Sequence, residues 1–540
     1  MDCLVIGYAE PSRNRERQQF FNTKSASGTG WRRYLHLNYV EFQDDFILPN
    51  NMASLAHLEK ERGSLQRDED GGFLIKDLTH FSTWQVPLLG GLFIYQYLRS
   101  QGHETELIKH VQMEWERFQD CLKQKPKVIA ISTTLLLNPL DIGYVVSECR
   151  KVSPDSFIIL GGMTTWRDYL DRQSDLKQYQ IYLADAVVLD SKGFKTLAQV
   201  VDRVKNEKPL DNIPTLLLFD PKDRSQILTT TPQRPEVFDF KTDTLNWDMV
   251  DDRYLGNITW MQTQVSCPFS CRFCSFPVIQ GEVKKNDLET VRASLDQLHK
   301  RGVRYLLFVD DTFNVPKSRF IEFLKILKEY DFTWFSYIRC QFLDEAQVKL
   351  MKESGCGGVY LGIESAHESV LEVMNKAVKP EKYWQGVKML SDYGITMYGS
   401  FIIGFPGETP DSIEATTRFI QEAGLDYYNI KCFYYDHSTP IHQLASQYAL
   451  KGTAFYWQHN TMNADQAFNT IQNIIKESNT TYIPQHSGEI WEVGYFRSLG
   501  ITPEKTHQLY SQFTQLMKDE FSGTPDKNKK RVFNELTKLF

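Results

Sequence analysis

Three cysteines lie close together at Cys267, Cys271 and Cys274, with the spacing C-x3-C-x2-C, directly after the apolar run 258–265. A short loop that leaves a strand can direct thiolates at these offsets to one centre, and thiolates are the usual protein ligands of iron–sulfur clusters. Because such clusters usually take four ligands, three would leave one iron with an open position. An open position on a metal is where a substrate or a cofactor binds, so the first chemistry expected is that of an iron–sulfur centre.

Two plainer interpretations compete with this one, a zinc knuckle and three unrelated buried thiols. No histidine and no second cysteine pair lies at zinc-binding spacing near the motif, which disfavours zinc. The remaining cysteines are scattered singly, which argues against disulfides and against a second iron–sulfur cluster and fits a reducing compartment. They are Cys3, Cys121, Cys149, Cys340, Cys356 and Cys432.

The cysteine motif resembles the signature of the radical S-adenosylmethionine (SAM) superfamily. Members of that family hold a [4Fe-4S] cluster on three cysteines and bind the amine and carboxylate of SAM at the fourth iron. The resemblance implies that Cys267, Cys271 and Cys274 ligate the cluster and that Phe273 lies beside the adenine. It also implies an electron donor such as a flavodoxin or ferredoxin, and a 5'-deoxyadenosyl radical that removes hydrogen from a substrate carbon.

Composition and charge narrow the class of protein. The chain has 540 residues, 41% of them hydrophobic and 24% charged, which predicts about two or three globular domains. Its formal net charge is -7, and its longest basic run is 527–531, so no nucleic-acid partner is expected. The N-terminus lacks the pattern of a signal peptide, and the longest apolar stretch, 88–98, is too short to span a bilayer. We therefore expect a cytoplasmic protein without membrane contact.

The N-terminal part, residues 1–235, alternates short apolar strands with helical stretches, which predicts an α/β, doubly wound Rossmann-like domain. A segment of little periodicity, about 10–85, interrupts it and is expected to be a lid or an ordered loop.

The order of these elements, with Ser132-Thr133-Thr134 and Leu160-Gly161-Gly162 after two strands, resembles the cobalamin-binding domain of B12-dependent radical SAM enzymes. The Asp-x-His-x-x-Gly motif of many such domains is absent, and 190–193 reads Asp-Ser-Lys-Gly where a Gly-Glu-Gly-Glu-like turn is usual. Some members bind cobalamin without that histidine. The resemblance therefore implies either bound cobalamin or a domain retained to position the substrate.

The central part, residues 236–445, contains six predicted strand–helix units, which together indicate a partial (β/α)6 barrel of the radical SAM type. The predicted strands are 258–265, 305–309, 334–338, 358–363, 397–403 and 428–433. Residues 446–540 read as mainly helical and are expected to form a cap over the barrel mouth. Chemistry in such barrels takes place at the carboxyl ends of the strands.

Polar residues follow four of these strands, where each could merely cap the next helix. Four sets in register with the cysteine loop indicate a site instead. By resemblance, Asp310 and Asp311 lie near the methionyl amine, Arg339 meets the SAM carboxylate, and Glu364 bonds the ribose or amine. The backbone at Gly404 and Phe405 is implied to flank the adenine. A sulfonium cofactor with an amino-acid end needs both acceptors and a cation, which agrees with this set.

The fate of the substrate radical separates three hypotheses. The first is a radical SAM peptide epimerase of ribosomal peptide maturation, which the architecture resembles; a thiol, Cys432 or Cys340, would then return hydrogen to Cα of a ribosomally made peptide. For each cysteine the plainer interpretation is a small buried apolar residue. The second is a cobalamin-dependent C-methyltransferase, and the third is a non-catalytic SAM-binding scaffold.

Overall fold

The computed structural model describes residues 1–9, 29–43, 45–67, 72–135, 139–171, 183–220, 222, 227–228, 236, 238–524 and 526–540. Contacts within the chain define two compact units. Unit 1 comprises Met1–Glu16, Trp84–Leu255 and Val278–Leu298, and unit 2 comprises Arg17–Thr83, Gly256–Pro277 and His299–Phe540. The predicted boundaries at 235/236 and 445/446 stay a prediction.

The strands in chain order are β1 (Cys3–Ile6), β2 (Val40–Phe42), β3 (Asp45–Ile47), β4 (Thr105–Ile108), β5 (Val128–Ser132), β6 (Phe157–Gly161), β7 (Ala186–Val188), β8 (Leu216–Leu218), β9 (Ile258–Met261), β10 (Gln264–Val265), β11 (Lys284–Lys285), β12 (Tyr305–Phe308), β13 (Thr333–Ile338), β14 (Cys356–Glu364), β15 (Thr396–Ile403), β16 (Tyr427–Cys432), β17 (Lys451–Thr453), β18 (Tyr456–Gln458) and β19 (Thr481–Tyr482).

The α-helices are α1 (Thr29–His36), α2 (Pro49–Arg62), α3 (Ile75–Leu78), α4 (Leu89–Ser100), α5 (Trp115–Lys123), α6 (Pro139–Val152), α7 (Met163–Asp171), α8 (Phe194–Lys205), α9 (Phe276–Gln280), α10 (Leu288–Lys300), α11 (Lys317–Leu327), α12 (Glu345–Glu353), α13 (Glu368–Val373), α14 (Pro380–Asp392), α15 (Pro410–Glu422), α16 (Ala464–Glu477), α17 (Glu489–Ser498), α18 (Pro503–Phe521) and α19 (Asp526–Leu539). None of these helices has the length and apolar character that a membrane crossing requires.

Unit 1 is built on a six-stranded sheet with the order β4-β1-β5-β6-β7-β8. The first five strands are parallel and β8 is antiparallel to β7. The strands are mainly apolar and buried, with Glu106 of β4 and Ser132 of β5 among the exceptions, as expected of a parallel sheet covered by helices on both faces. Within this unit the order is of the flavodoxin type, so successive connections diverge between β1 and β5 and leave a crevice at their carboxyl ends. The predicted α/β doubly wound fold is thereby confirmed.

Unit 2 contains a seven-stranded sheet in the order β19-β16-β15-β14-β13-β12-β9, with every neighbouring pair parallel. All six predicted barrel strands are present, and the first, predicted as 258–265, is divided into β9 and β10. The seventh strand, β19, comes from the predicted helical cap. Two residues, Thr481 and Tyr482, are too few to show the alternation by which a strand is recognised in a sequence.

The sheet of unit 2 has an outer and an inner face, because successive side chains of a strand point to opposite sides. On the outer face, Trp334 donates its indole N–H to the carbonyl of Ser354 at the end of α12. On the inner face, its neighbour Phe335 packs against α17, where a Cβ built on Gly494 would lie 2.9 Å from the Phe335 ring. Helix α17, predicted as part of a cap, therefore packs on the inner face of the sheet against β12, β13 and β14.

The insertion predicted at about 10–85 is not a structureless loop in its described part. Residues 10–28, 44 and 68–71 of this predicted insertion lie outside the described residues, and the others include α1, the antiparallel strands β2 and β3, and helices α2 and α3. Helix α1 docks in unit 2, where the Tyr34 ring stacks on Phe455 at 4.8 Å and Arg33 pairs with Asp465 at 2.9 Å. These contacts are long-range in sequence, which is why local periodicity did not predict them.

Candidate active site

The three cysteines lie on a loop that begins after β10, where Ser266 turns the chain with a φ of 68°. Cys271 is buried, and Cys267 and Cys274 are half-buried. Burial is the main cause that raises the pKa of the Cys274 thiol to about 12, and the neighbouring Cys271 and Cys267 raise it further. Cys274 thus lies within electrostatic range of the other two thiols, and ligation of one cluster by all three stays a prediction.

Arg272, inside the motif, fixes this loop to the segment that follows α13. Its guanidinium donates to the carbonyl of Val373 at 2.8 Å, and its backbone N–H donates to the carbonyl of Met374 at 2.9 Å. Asn375 adds a bond from its side-chain amide to the carbonyl of Ser270 at 3.0 Å. These bonds stabilise the conformation of the loop independently of a cluster.

Arg339, at the end of β13, lies against the thiols. Its Nη2 donates to Sγ of Cys271 at 3.0 Å, and its guanidinium lies 3.6 Å above the ring of Phe269. The side chain of Asn314 fixes the backbone of Arg339 on both sides, with bonds of 2.9 and 3.0 Å. Sequence reasoning placed a cation at this strand end, and the structure brings it to the cysteine loop.

The chemistry of this donor set fits an iron–sulfur cluster with an anionic ligand beside it. Among the described residues, no three His, Cys, Asp or Glu side chains converge closely enough for a single metal ion. The irons of a cube take one thiolate each, so its ligands lie farther apart than those of one ion. Nη1 of Arg339 is buried without a hydrogen-bond partner in the described part of the chain. A buried donor of this kind is costly unless an acceptor reaches it, and a carboxylate would do so.

Asp310 follows β12, and its carboxylate binds Thr263 and Gln264, which precede the cysteine loop. Both of its carboxylate oxygens accept bonds, from the N–H and hydroxyl of Thr263 at 2.6 and 2.5 Å and from the N–H of Gln264 at 3.1 Å. Burial raises the pKa of Asp310 to about 6, and these hydrogen bonds oppose the rise. Its neighbour Asp311 contributes to the electrostatics of Cys274. The predicted proximity of this pair to the SAM amine stays a prediction.

Glu364 ends β14 with a φ of 66°, at a bulge in the pairing with β15. Its Oε1 lies 3.6 Å from Nζ of Lys376, and that ammonium also donates to the carbonyl of Gly362 at 2.8 Å. The Lys376 side chain is only 3% exposed, and Nζ lies 5.7 Å from the centre of the Phe273 ring. Lys376 thus links two of the predicted cofactor residues.

The segment after β15 is tightly bonded within unit 2. Gly404 has a φ of 94°; its N–H donates to Glu408 and its carbonyl oxygen lies 3.0 Å from Nε2 of His459. Burial raises the pKa of Glu408 to about 8, although the N–H groups of Gly404 and Phe405 lower it. Since both backbone polar groups of Gly404 are engaged, Phe405, whose ring lies 6.4 Å from that of Phe273, is the better placed of the two to flank an adenine.

The two cysteines predicted as hydrogen donors are both buried. Cys340 packs under α14, where a Cβ on Gly386 would lie 2.6 Å from the carbonyl oxygen of Cys340. Burial raises the pKa of the Cys340 thiol to about 12. Cys432 follows Lys431 on β16 and so faces the opposite side of the sheet from that lysine. Burial lifts the pKa of Cys432 well above its usual range, with Arg33 lowering it and Glu408 raising it. Their role as donors stays a prediction.

The cysteine loop and the polar strand ends lie within a region that matches a described family. The model of the radical SAM superfamily matches residues 261–420. The chain carries a radical SAM domain. That domain implies a [4Fe-4S] cluster and SAM as cofactors, as the cysteine motif predicted, and its match covers every predicted site residue except Cys432.

Comparison with curated and solved proteins extends the likeness beyond the radical SAM domain. An uncharacterized methyltransferase of Pyrococcus horikoshii is 29% identical over 355 residues, which cover 63% of this chain and 74% of that protein. The structure of the radical SAM methyltransferase TsrM from Kitasatospora setae, with cobalamin and [4Fe-4S] cluster bound, superposes with a TM-score of 0.56 at 16% identity, over 84% of this chain and 97% of that one. The cobalamin-dependent radical SAM enzyme OxsB with aqua-cobalamin bound gives a TM-score of 0.55 at 14% identity over 91% and 81%.

Sequence reasoning missed three residues around the radical SAM domain's site. Arg272 could have been noticed, since it lies inside the cysteine motif. Lys376 and His459 carried no signal, because each lies far from the motif in sequence and reaches the site through tertiary packing. Both contact backbone carbonyls, of Gly362 and Gly404 respectively.

Proposed function

We propose that this radical SAM enzyme is a cobalamin-dependent methyltransferase that acts on a substrate carbon. The observation that carries the proposal is the extent of the fold likeness. It covers 84% of the chain with TsrM and 91% with OxsB, far more than the radical SAM domain at 261–420. The likeness therefore extends into unit 1, although the three predicted cluster ligands all lie in unit 2.

In unit 1 the loops that follow β5 and β6 approach each other closely beside the crevice between β1 and β5, where a ligand would bind. The ends of β5 and β6 are joined there, because the N–H of Thr133 donates to the carbonyl of Gly161 at 2.8 Å. Gly162 has a φ of 134°, and a Cβ on it would lie 2.9 Å from the backbone nitrogen of Thr134. Only glycine permits this close approach. Thr133, Gly162 and Tyr8, which follows β1, would border a bound cobalamin.

When bound, SAM and the cluster supply the radical and cobalamin carries the methyl group. The residues of this chain hold the reactants and exclude water. The triad would ligate the cluster, and Arg339 would bind the SAM carboxylate through its unpaired Nη1. Lys376 would hold Glu364 in place for the ribose or amine, and Phe273 and Phe405 would enclose the adenine.

Peptide epimerisation, the leading hypothesis from the sequence, gains no support from the proteins named above. Two of them are described as methyltransferases, and the third as a cobalamin-dependent radical enzyme. The burial of Cys340 and Cys432 also fits small apolar packing. A peptide substrate, a flavodoxin or ferredoxin as the electron donor and a cytoplasmic location remain predictions beside the proposed methyl transfer.

The proposal is tested on protein expressed with added cobalamin and purified without oxygen. We expect visible absorption of a corrinoid together with that of the cluster. With SAM and a reductant we expect both 5'-deoxyadenosine and S-adenosylhomocysteine, because a methyltransferase uses SAM as radical source and methyl source. Cys271→Ala should abolish 5'-deoxyadenosine while leaving the corrinoid in place.

The opposite result would favour epimerisation. Protein that retains no corrinoid, forms 5'-deoxyadenosine alone and places one deuterium on a peptide Cα in D2O would refute methyl transfer. Cys340→Ala or Cys432→Ala should then remove that deuterium. Absence of iron and of any SAM cleavage would leave only a non-catalytic scaffold.

A further inference from the structure

A row of aromatic side chains crosses the inner face of the sheet in unit 2. Tyr337, Tyr360 and Tyr398 stand in register on β13, β14 and β15, and their ring centroids are 4.8 and 5.0 Å apart. Trp491 of α17 covers Tyr337 at 4.8 Å and donates its indole N–H to the Tyr337 hydroxyl at 3.2 Å. The result is an aromatic wall inside the barrel sheet, in which the Tyr360 and Tyr398 rings stack and the Tyr337 ring meets those of Tyr360 and Trp491 edge to face.

An ammonium group, that of Lys431, lies beside this wall. Nζ of Lys431 donates to the hydroxyl oxygen of Tyr360 at 3.0 Å and lies 3.2 Å from Oε1 of Glu489. The Lys431 side chain is 27% exposed and that of Glu489 14%, so the pair is recessed but open to solvent. Lys431 is the penultimate residue of β16, close to the carboxyl end at which such barrels bind substrates.

Two further observations, on Glu489 and on the neighbouring Tyr398, indicate a role in binding rather than in packing alone. Glu489 begins α17 with a φ of 55°, directly after Gly488 with a φ of 75°. A residue other than glycine rarely adopts this conformation, and strain of this kind collects at functional sites. The hydroxyl of Tyr398, whose electrostatic neighbours include Glu489 and Tyr360, is fully buried and has no hydrogen-bond partner among the described residues.

Lys431 is positively charged at neutral pH. Burial lowers its pKa, but the nearby Glu489 and Tyr360 outweigh burial, so the pKa lies well above its usual range. An ammonium has three N–H donors, and the two contacts above use at most two of them. The third can reach an acceptor on a ligand that lies along the aromatic wall.

We propose that Lys431 binds a carboxylate of the substrate, and that this carboxylate is attached to a planar, aromatic group that packs along Tyr337, Tyr360 and Trp491. Glu489 holds the ammonium in position while the site is empty and competes with the incoming carboxylate. The inference rests on the proposed function, because it assumes that the radical SAM enzyme takes its substrate at the inner face of the sheet. Its test needs binding alone and no turnover.

Two matched probes separate this site from an ion pair that only stabilises the fold. They are 3-phenylpropionate and 3-phenylpropanamide, which share a ring and a length but differ in charge. Their affinities are measured by calorimetry on the cluster-loaded enzyme, with SAM present. We expect the carboxylate to bind at least about tenfold more tightly than the amide, the amount typical of a hydrogen bond to a charged group.

Substitutions of the two charged residues should act in opposite directions. Lys431→Met should remove the preference for the carboxylate, and Lys431→Arg should retain part of it because the cation remains. Glu489→Gln should raise the affinity for the carboxylate several-fold, since the competing acceptor loses its charge. An ion pair that serves only the fold would instead make Lys431→Met and Glu489→Gln equally unstable and leave the probes unaffected.

Lys388→Met is the matched control, because this lysine is 74% exposed on α14 and pairs with Asp392 in the next turn. It should change neither affinity. Equal binding of the two probes, no binding of either, or a preference that survives Lys431→Met would overturn the inference. Formation of S-adenosylhomocysteine by the same preparation shows whether the proposed function fails as well or stands on its own.

Discussion

Arg339 and Cys271 are joined by a hydrogen bond of 3.0 Å from the guanidinium to the thiol sulfur. The guanidinium also lies 3.6 Å above the Phe269 ring, so this ring covers one face of the guanidinium. Because Nη1 has no partner in the described part of the chain, one donor remains for an anion next to the thiol triad. The contact thus relates the predicted cluster ligands to the predicted SAM carboxylate site.

Replacing Arg339 by methionine should separate SAM binding from cluster assembly. The variant should retain its iron but bind SAM about tenfold or more weakly, because a hydrogen bond to a charged group is worth about 1.5–3 kcal/mol. Iron analysis and calorimetric titration with SAM measure the two effects. Arg272→Met is the contrast, since Arg272 anchors the loop through the carbonyl of Val373 and should reduce iron retention first. Unchanged SAM affinity in Arg339→Met would contradict the assignment.

Each of Cys267→Ala, Cys271→Ala and Cys274→Ala should prevent the cluster from forming. Two thiolates cannot hold a cube that leaves its fourth iron open for SAM. Iron and sulfide content after anaerobic reconstitution, with the electron paramagnetic resonance of the reduced protein, gives the measurement. Cys356→Ala is the control, because Cys356 is buried at the first residue of β14, at the far end of its strand. A triad variant with full iron content would show that the cluster lies elsewhere.

Glu408 should make the stability of unit 2 depend on pH. Its pKa is about 8 in the folded protein because burial disfavours the charged form, against about 4.3 in an unfolded chain. Between these values the folded protein holds a proton that the unfolded chain has lost. The free energy of unfolding therefore falls as pH rises, by up to about 1.4 kcal/mol per pH unit, and levels off above about pH 8.

Glu408→Gln should abolish this slope, since the amide does not titrate. Thermal and urea unfolding of the cluster-free protein at several pH values between 5 and 8 measures it, as the difference from wild type. Glu422→Gln, at an exposed residue of α15, should leave the slope unchanged. If Glu408→Gln and wild type lose stability in parallel over this range, the carboxyl of Glu408 is ionised in the folded protein.

Gly404→Ala should destabilise unit 2 through backbone strain and through a steric clash. The same substitution at Gly500 measures the backbone strain alone. Gly404 has a positive φ, and a Cβ on it would lie 2.5 Å from Cη2 of Trp457. Gly500 has a φ of 77° with no atom within 4 Å of its Cβ position, so Gly500→Ala pays only the conformational cost of about 1 kcal/mol. Gly404→Ala should cost about 1–3 kcal/mol more, the range for overpacking.

The steric part of this cost should depend on Trp457. In the double variant Gly404→Ala/Trp457→Ala, the cost of the glycine substitution should fall toward that of Gly500→Ala. Urea unfolding of the four proteins of this cycle provides the coupling energy. Additive effects would mean that the indole ring moves away without cost.

The sequence predicted most strands of the two sheets, because their apolar runs are a local property of the chain, but it did not predict β8, which lies in a segment that reads as turn-rich. It also predicted the triad and the presence of a cation at the end of β13. It did not predict β19, whose two residues gain their strand conformation only by pairing with β16. It did not predict that α17 packs on the inner face of the sheet against β12, β13 and β14, since a helix that packs against a sheet and a helix of a surface cap carry similar patterns.

The order of the cysteines and the alternation of strands and helices were enough to define the cofactor chemistry and the fold class, because ligand spacing and hydrophobic periodicity are both properties of neighbouring residues. The partners of the charged side chains were decided only by the folded chain. Lys376 meets Glu364, Lys431 meets Glu489, and Arg339 meets Cys271. A long-range pair costs chain entropy to form and leaves no mark on the local pattern, so only the tertiary structure determines which charges face each other.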